Sequence, residues 1–168
     1  MPKPKIPTKP GTAFGGGYYA GRFFIGAQAY ALIVSSKAAG TIDPMPWNES
    51  TASVAGATSS NDGLANTTAM VKAGSALAKK IAGLRIGKFT DWYLPSRLEL
   101  LIAHHELAST KAFKPGGEQA FDAAWYWSST QHAATSGYAW LQDFGYGGQG
   151  DDHESVGYRA RAVRRIKI

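Results

Sequence analysis

Two helix-period segments lie in the middle of the chain with aromatic-rich, strand-like text on both sides, an order that neither a helical bundle nor an alternating α/β chain produces. Tyr18 to Ile25 and Gln28 to Ser35 are rich in aromatic and β-branched residues and are separated by Gly26-Ala27, so they read as a hairpin. Met70, Ala73, Gly74, Leu77, Ile81 and Leu84 then recur at helical spacing, and with Asn61 or Asp62 as the cap they predict one helix through about Ala82. After Pro95, the capping-box spacing of Ser96 and Glu99 predicts a second helix over Arg97 to Leu107. Strand text returns at Tyr126 to Thr130, Tyr138 to Tyr146 and Val156 to Ile166. The expected class is α+β, with two helices packed on short antiparallel sheets and long loops between them. Val163 and Ile166 are expected to share one core with Phe23, Ile25 and Val34.

Residues 40 to 62 carry Pro44, Pro46 and a cluster of Ser, Thr, Asn and Gly, and read as a long irregular loop anchored by Trp47. At the start, Pro2, Pro4, Pro7 and Pro10 interleave with lysines and resist both helix and ladder. Residues 1 to 12 are therefore expected to form an extended arm that can lie in a neighbour's groove, and residues 13 to 168 a single domain.

The chain has 168 residues and no cysteine, which removes disulfides, thiolate nucleophiles and zinc-thiolate sites together and permits folding in a reducing cytoplasm. No segment reaches the roughly 18 apolar residues of a membrane span, and the proline-rich start lacks the apolar core of a signal peptide, so membrane insertion is not expected. The net charge of +6 gathers at the two ends. Alternation along the closing stretch sets Arg159, Arg161 and Arg165 opposite Ala160, Ala162 and Arg164, which suggests a solvated strand face and no stripe for nucleic acid. Trp125 and Trp127 point to one side of their strand and Tyr126 to the other, so one set is expected in the core and the other at a surface.

Catalytic motifs are incomplete. His105-Glu106 begins like a zinc-protease motif, but Ser109 stands where the second histidine is needed, and the adjacent His104 and His105 diverge by about 100° on a helix. Gly15-Gly16-Gly17 lacks the Lys-Ser/Thr of a phosphate loop, and Ser128-Ser129 lacks the glycines of a nucleophile elbow. Asp151-Asp152-His153-Glu154 with Asp143 offers oxygen ligands for calcium; the alternative is a solvated acidic loop, or pairing of Asp143 and Asp151 with the final arginines. No other cofactor is expected. Trp140, Gln142, Phe144 and Tyr146 alternate toward a glycine-rich loop, a pattern that suits a saccharide or protein surface as well as a core.

Four ordered motifs carry a resemblance: Asp91-Trp92-Tyr93-Leu94-Pro95-Ser96 with Leu98-Glu99-Leu100; Tyr126-Trp127-Ser128-Ser129-Thr130; Ala139-Trp140; and Arg159-Ala160-Arg161-Ala162-Val163-Arg164. From about residue 60 to 168 the chain resembles the Lcl C-terminal-type domain family, named after a collagen-like bacterial adhesin. The resemblance implies a C-type-lectin-like fold, shared with formylglycine-generating enzymes, phage tropism determinants and variable proteins of diversity-generating systems. Gly17-Tyr18-Tyr19-Ala20-Gly21-Arg22 and Tyr30-Ala31-Leu32-Ile33-Val34 resemble phage-encoded versions. Formylglycine chemistry depends on cysteine and does not transfer to this chain. The Glu-Pro-Asn, Gln-Pro-Asp and Trp-Asn-Asp signatures of calcium-dependent sugar binding are also absent from it.

The expectation is a non-catalytic phage tail or virion module that recognises a bacterial surface glycan or outer-membrane protein. Its contact residues are expected to be Gln131, His132, Tyr138, Gln142, Tyr146, Gln149, Asp151, Asp152, His153 and Glu154. Weak sites gain strength by repetition, so a homo-oligomer, a trimer by analogy with phage architecture, is expected, assembled in the host cytoplasm. The alternative is a structural tail or baseplate component whose arm binds other virion proteins. A polysaccharide-cleaving enzyme would need two carboxylates across a groove, drawn from Asp122, Asp143, Asp151 and Glu154.

Overall fold

The computed structural model describes residues 5–168. The chain runs through β1 (Ala13–Phe14), β2 (Gly17–Ile25), β3 (Gln28–Val34), α1 (Lys37–Gly40), β4 (Thr41–Met45), α2 (Gly63–Lys72), α3 (Ala76–Ala82) and α4 (Arg97–Leu107). It then continues through β5 (Trp125–Gln131), β6 (Tyr138–Asp143), β7 (Gln149–His153), β8 (Tyr158–Arg161) and β9 (Val163–Lys167). The α+β class is as expected, with four helices where two were read. Strands β1-β2-β3-β9 form one sheet and β4-β8-β5-β6-β7 the other. All pairings are antiparallel except β5 with β8.

The sequence reading departs from this architecture at four elements. Asp62 caps α2 through Ala65 N–H, but the single helix through Ala82 is two helices: Gly74 takes φ +95°, and Ser75 starts α3 as a new cap. The loop over residues 40 to 62 contains β4, where Pro44 is accommodated because this strand lies at the sheet edge and its register is irregular. The strand from Tyr138 stops at Asp143, and residues 149–153, read as loop, form β7. The closing strand is broken at Ala162, where the chain passes from one sheet to the other.

That passage reverses the solvated-face reading of the arginines. Arg161 is fully buried and donates to the carbonyls of Ser35 and Gln119. Arg164 is buried against Asp91 and the Gly15 carbonyl, while Arg165 pairs with Asp62 and Arg159 with Asp122. None of them pairs with Asp143 or Asp151, because the register carries their side chains to other elements. Burial pulls the Arg161 guanidinium down to about 10, a value that still leaves it charged at neutral pH.

Two cores explain why both faces of β5 are covered. Trp127 joins Met70, Leu77, Ile81, Trp92 and Leu94 in the core between the five-stranded sheet and α2–α3. On the opposite face Tyr126 is equally buried, edge-on to Phe121 and Phe144, so the expected surface face is closed. Only Trp125, at the strand's start, is exposed. The second core holds Phe23, Val34, Tyr93, Leu107 and Val163, with Ile25 packed on it, as predicted for the terminal strands. Ile166 instead packs on the far face of the first sheet with Tyr19, Ile33 and Ile6. Of the expected arm, residues 1–4 lie outside the described residues; Gly11 N–H donates to the Tyr19 carbonyl and Tyr19 N–H donates to that of Thr12, which ties Gly11 and Thr12 to β2.

Helix α4 sets its first residue, Arg97, beside β6 and β7. Ser96 Oγ accepts from Glu99 N–H, and the Glu99 carboxylate accepts from Ser96 N–H at 2.7 Å and from the Tyr93 hydroxyl at 2.5 Å. This capping box is the one read from sequence. It is buried, and burial raises the Glu99 carboxyl to about 7 against the hydrogen bonds that favour the anion.

Candidate functional site

The antiparallel register of β6 and β7 sets Tyr138 opposite His153, Trp140 opposite Asp151 and Gln142 opposite Gln149. Residues directly opposite in such a ladder share a face, so these six form three rungs on one side of the sheet. The Gln142 end is closed: Gln142 is buried, and its amide donates to the carbonyls of Asp143, Gly147 and Gly148, holding the turn before β7. The Trp140 and Tyr138 rungs lie beyond the first residue of α4. They remain partly open to solvent, and Asp151 is exposed.

Trp140 is the centre of this open end. The indole N–H groups of Trp47, Trp92 and Trp127 each donate to a backbone carbonyl, as core tryptophans do. Trp140 is held by its ring. The Arg97 guanidinium lies 3.6 Å from the ring centroid, and the His132 imidazole stacks on it at 5.2 Å with 20° between planes. Arg97 is fixed in turn by Gln149: Nε donates to Gln149 Oε1 at 3.1 Å, and Gln149 Nε2 donates to the Arg97 carbonyl at 2.7 Å. Gln149 Nε2 also donates to Gln142 Oε1.

The imidazoles on this face have assigned roles. His132 Nδ1 accepts from the N–H groups of Ala134 and Thr135, which leaves Nε2 to carry the proton, 3.7 Å from Asp151 Oδ2. His153 stands edge-on to Tyr138 and shares a 2.7 Å hydrogen bond with Ser155 Oγ. The face thus presents a cation, two imidazoles, a phenol and a carboxylate around an indole. With the indole stacked by Arg97 and His132, the set offers ring edges and polar groups that can hydrogen-bond to hydroxyl, amide or carboxylate groups.

Of the ten residues singled out from sequence, the structure brings His132, Tyr138, Gln149, Asp151 and His153 together here. Gln131, Gln142 and Glu154 are buried and do not face outward. Gln131 accepts from Val54 N–H and donates to Ala52 O and Glu154 Oε1, which clamps the 48–54 segment to the end of β7. Glu154 Oε2 has no partner among the described residues, and burial pushes this carboxyl upward. Asp152 points to the opposite face, where it accepts from the Tyr158 hydroxyl at 2.6 Å; that bond first, and burial second, pushes Tyr158 up to about 12. Tyr146 is 98% exposed at the turn tip, away from the rungs. Sequence reasoning missed Arg97, since nothing local pairs the first helical residue after Ser96 with a strand some fifty positions later. His104 and His105 separate, His104 edge-on to Phe144 and His105 beside Glu106. Among the described residues no three His, Cys, Asp or Glu side chains converge as a metal site.

The model of a protein family described as the Lcl C-terminal domain matches residues 37–164. No curated protein matches the chain.

Proposed function

Since the chain belongs to the Lcl C-terminal domain family, a binding-type domain, we propose that it is a non-catalytic module of a phage tail or virion that recognises a bacterial surface glycan or outer-membrane protein. The open end of the β6–β7 face is the contact surface. The observation that carries this reading is Trp140, stacked by Arg97 and His132 and ringed by Tyr138, Asp151 and His153, where the domain's own helices leave the sheet uncovered. A polar, aromatic, pre-organised patch of this kind matches the chemistry of carbohydrate and protein recognition. Its small extent implies weak single-site affinity, which a homotrimer or a multi-copy virion position offsets through avidity. Assembly takes place in the host cytoplasm.

The test uses particles that carry the triple variant Tyr138→Ala, Asp151→Ala, His153→Ala. Particles that assemble normally but no longer adsorb to host cells are the expected result. Unchanged adsorption by these particles, with loss of incorporation when residues 1 to 10 are deleted, would instead favour a structural tail or baseplate role.

A further inference from the structure

A second concavity lies at the other end of α4, remote from Arg97. It is a cleft of about 500 Å³ between the C-terminal half of that helix, the 113–123 segment and the turn after β6. The volume falls in the range of small-molecule sites. Its walls are Leu107, Phe113, Phe121 and Phe144, with Phe121 and Phe144 stacked at 3.8 Å and 5° and both partly open to solvent.

The electrostatics of this cleft are one-sided. Asp122 at the rim is shared by two cations, Lys37 Nζ at 2.8 Å and Arg159 Nε at 3.6 Å. Behind the aromatic wall lies a third, Arg161, 4.8 Å from the Phe121 centroid and 5.6 Å from that of Phe113. Its hydrogen bonds go to the carbonyls of Ser35 and Gln119 and to no carboxylate. Three positive charges therefore stand against two carboxylates, Asp122 at the rim and Asp143 behind the Gly145 turn, and the low-dielectric walls focus the net positive field into the cleft on the Lys37 side. Lys37 can turn from Asp122 to a ligand and leave that carboxylate paired with Arg159.

We propose that this cleft is a binding site for a small, flat, mainly apolar molecule that bears one anionic group, its ring against the phenylalanine walls and its anion at Lys37. The site is independent of the β6–β7 face and its function.

The test is a fluorescence titration of the folded protein with anilinonaphthalene sulfonate as the probe, and with uncharged phenylnaphthylamine as its comparison. Near-ultraviolet circular dichroism verifies that each variant is folded. The expected result is saturable binding of one sulfonate per chain, weaker by about tenfold or more for the uncharged probe. Ala108→Trp, which fills the cleft from an exposed position, abolishes binding. Lys37→Gln weakens it, and Tyr138→Ala leaves it unchanged. Absence of saturable binding, equal binding of the two probes, or indifference to Ala108→Trp and Lys37→Gln would overturn the proposal.

Discussion

The Arg97 guanidinium lies 3.6 Å from the centroid of the Trp140 ring, joining the first residue of α4 to the middle of β6. Gln149 completes the link by exchanging two hydrogen bonds with Arg97. A stacked guanidinium of this kind is worth on the order of 1 kcal/mol, and its one side-chain hydrogen bond, to Gln149 Oε1, adds a comparable amount, whereas the bond accepted by the Arg97 carbonyl survives truncation. Arg97→Ala is expected to cost about 1–2 kcal/mol in urea denaturation. Arg97→Lys should not restore it, because an ammonium neither stacks as a plane nor offers the same fork. Full rescue by lysine would show that charge alone matters here.

How much of this site was legible in the sequence follows from the range of each interaction. Ser96 and Glu99 are three residues apart and announce their helix through local chemistry, and the Tyr18–Ser35 hairpin is likewise local. β7 carries Gln-Gly-Asp-Asp-His, without a β-branched residue or a Phe, Tyr or Trp, and is a strand only because β6 lies beside it. With β7 hidden, Asp151 and Asp152 could not be assigned to opposite faces, nor Gln142 and Gln149 to one rung. Arg161 shows the same limit: its alternation is that of a surface residue, and only the switch between sheets at Ala162 buries it.

The buried Arg161 predicts a steep penalty for shortening it. Its removal strands the carbonyls of Ser35 and Gln119 in the interior. Each unsatisfied buried group costs about 1–3 kcal/mol. Arg161→Lys and Arg161→Met should both lower stability by about 2–4 kcal/mol, read from urea midpoints. A loss below about 0.5 kcal/mol would place this residue among ordinary surface substitutions.

Stability should fall as pH rises through the mildly acidic range. Burial raises Glu99 from 4.5 to about 7, so between those values the folded state holds a proton that the unfolded state has released, and each increment of pH favours unfolding. Glu154 is shifted in the same direction by burial. Asp122, lowered chiefly by its hydrogen bond from Lys37, works oppositely. So does Asp91, where the Arg164 hydrogen bond and charge together outweigh burial. Their contributions are present above the ordinary carboxylate value of 3.8 and are lost as pH falls below it. Urea denaturation across pH should therefore show a maximum on the acidic side of neutrality. Glu99→Gln should flatten the decline toward pH 7; an unaltered slope in that variant would assign the effect to another group.

The central claim is that the open end of the β6–β7 face binds a bacterial surface, and the most direct measurement is saturation binding of fluorescently labelled protein to intact bacterial cells. Wild type should bind saturably. The Tyr138→Ala, Asp151→Ala, His153→Ala variant, folded by near-ultraviolet circular dichroism, should lose that binding by about tenfold or more. Equal binding by the variant, or no binding by the folded wild-type oligomer, would contradict the account.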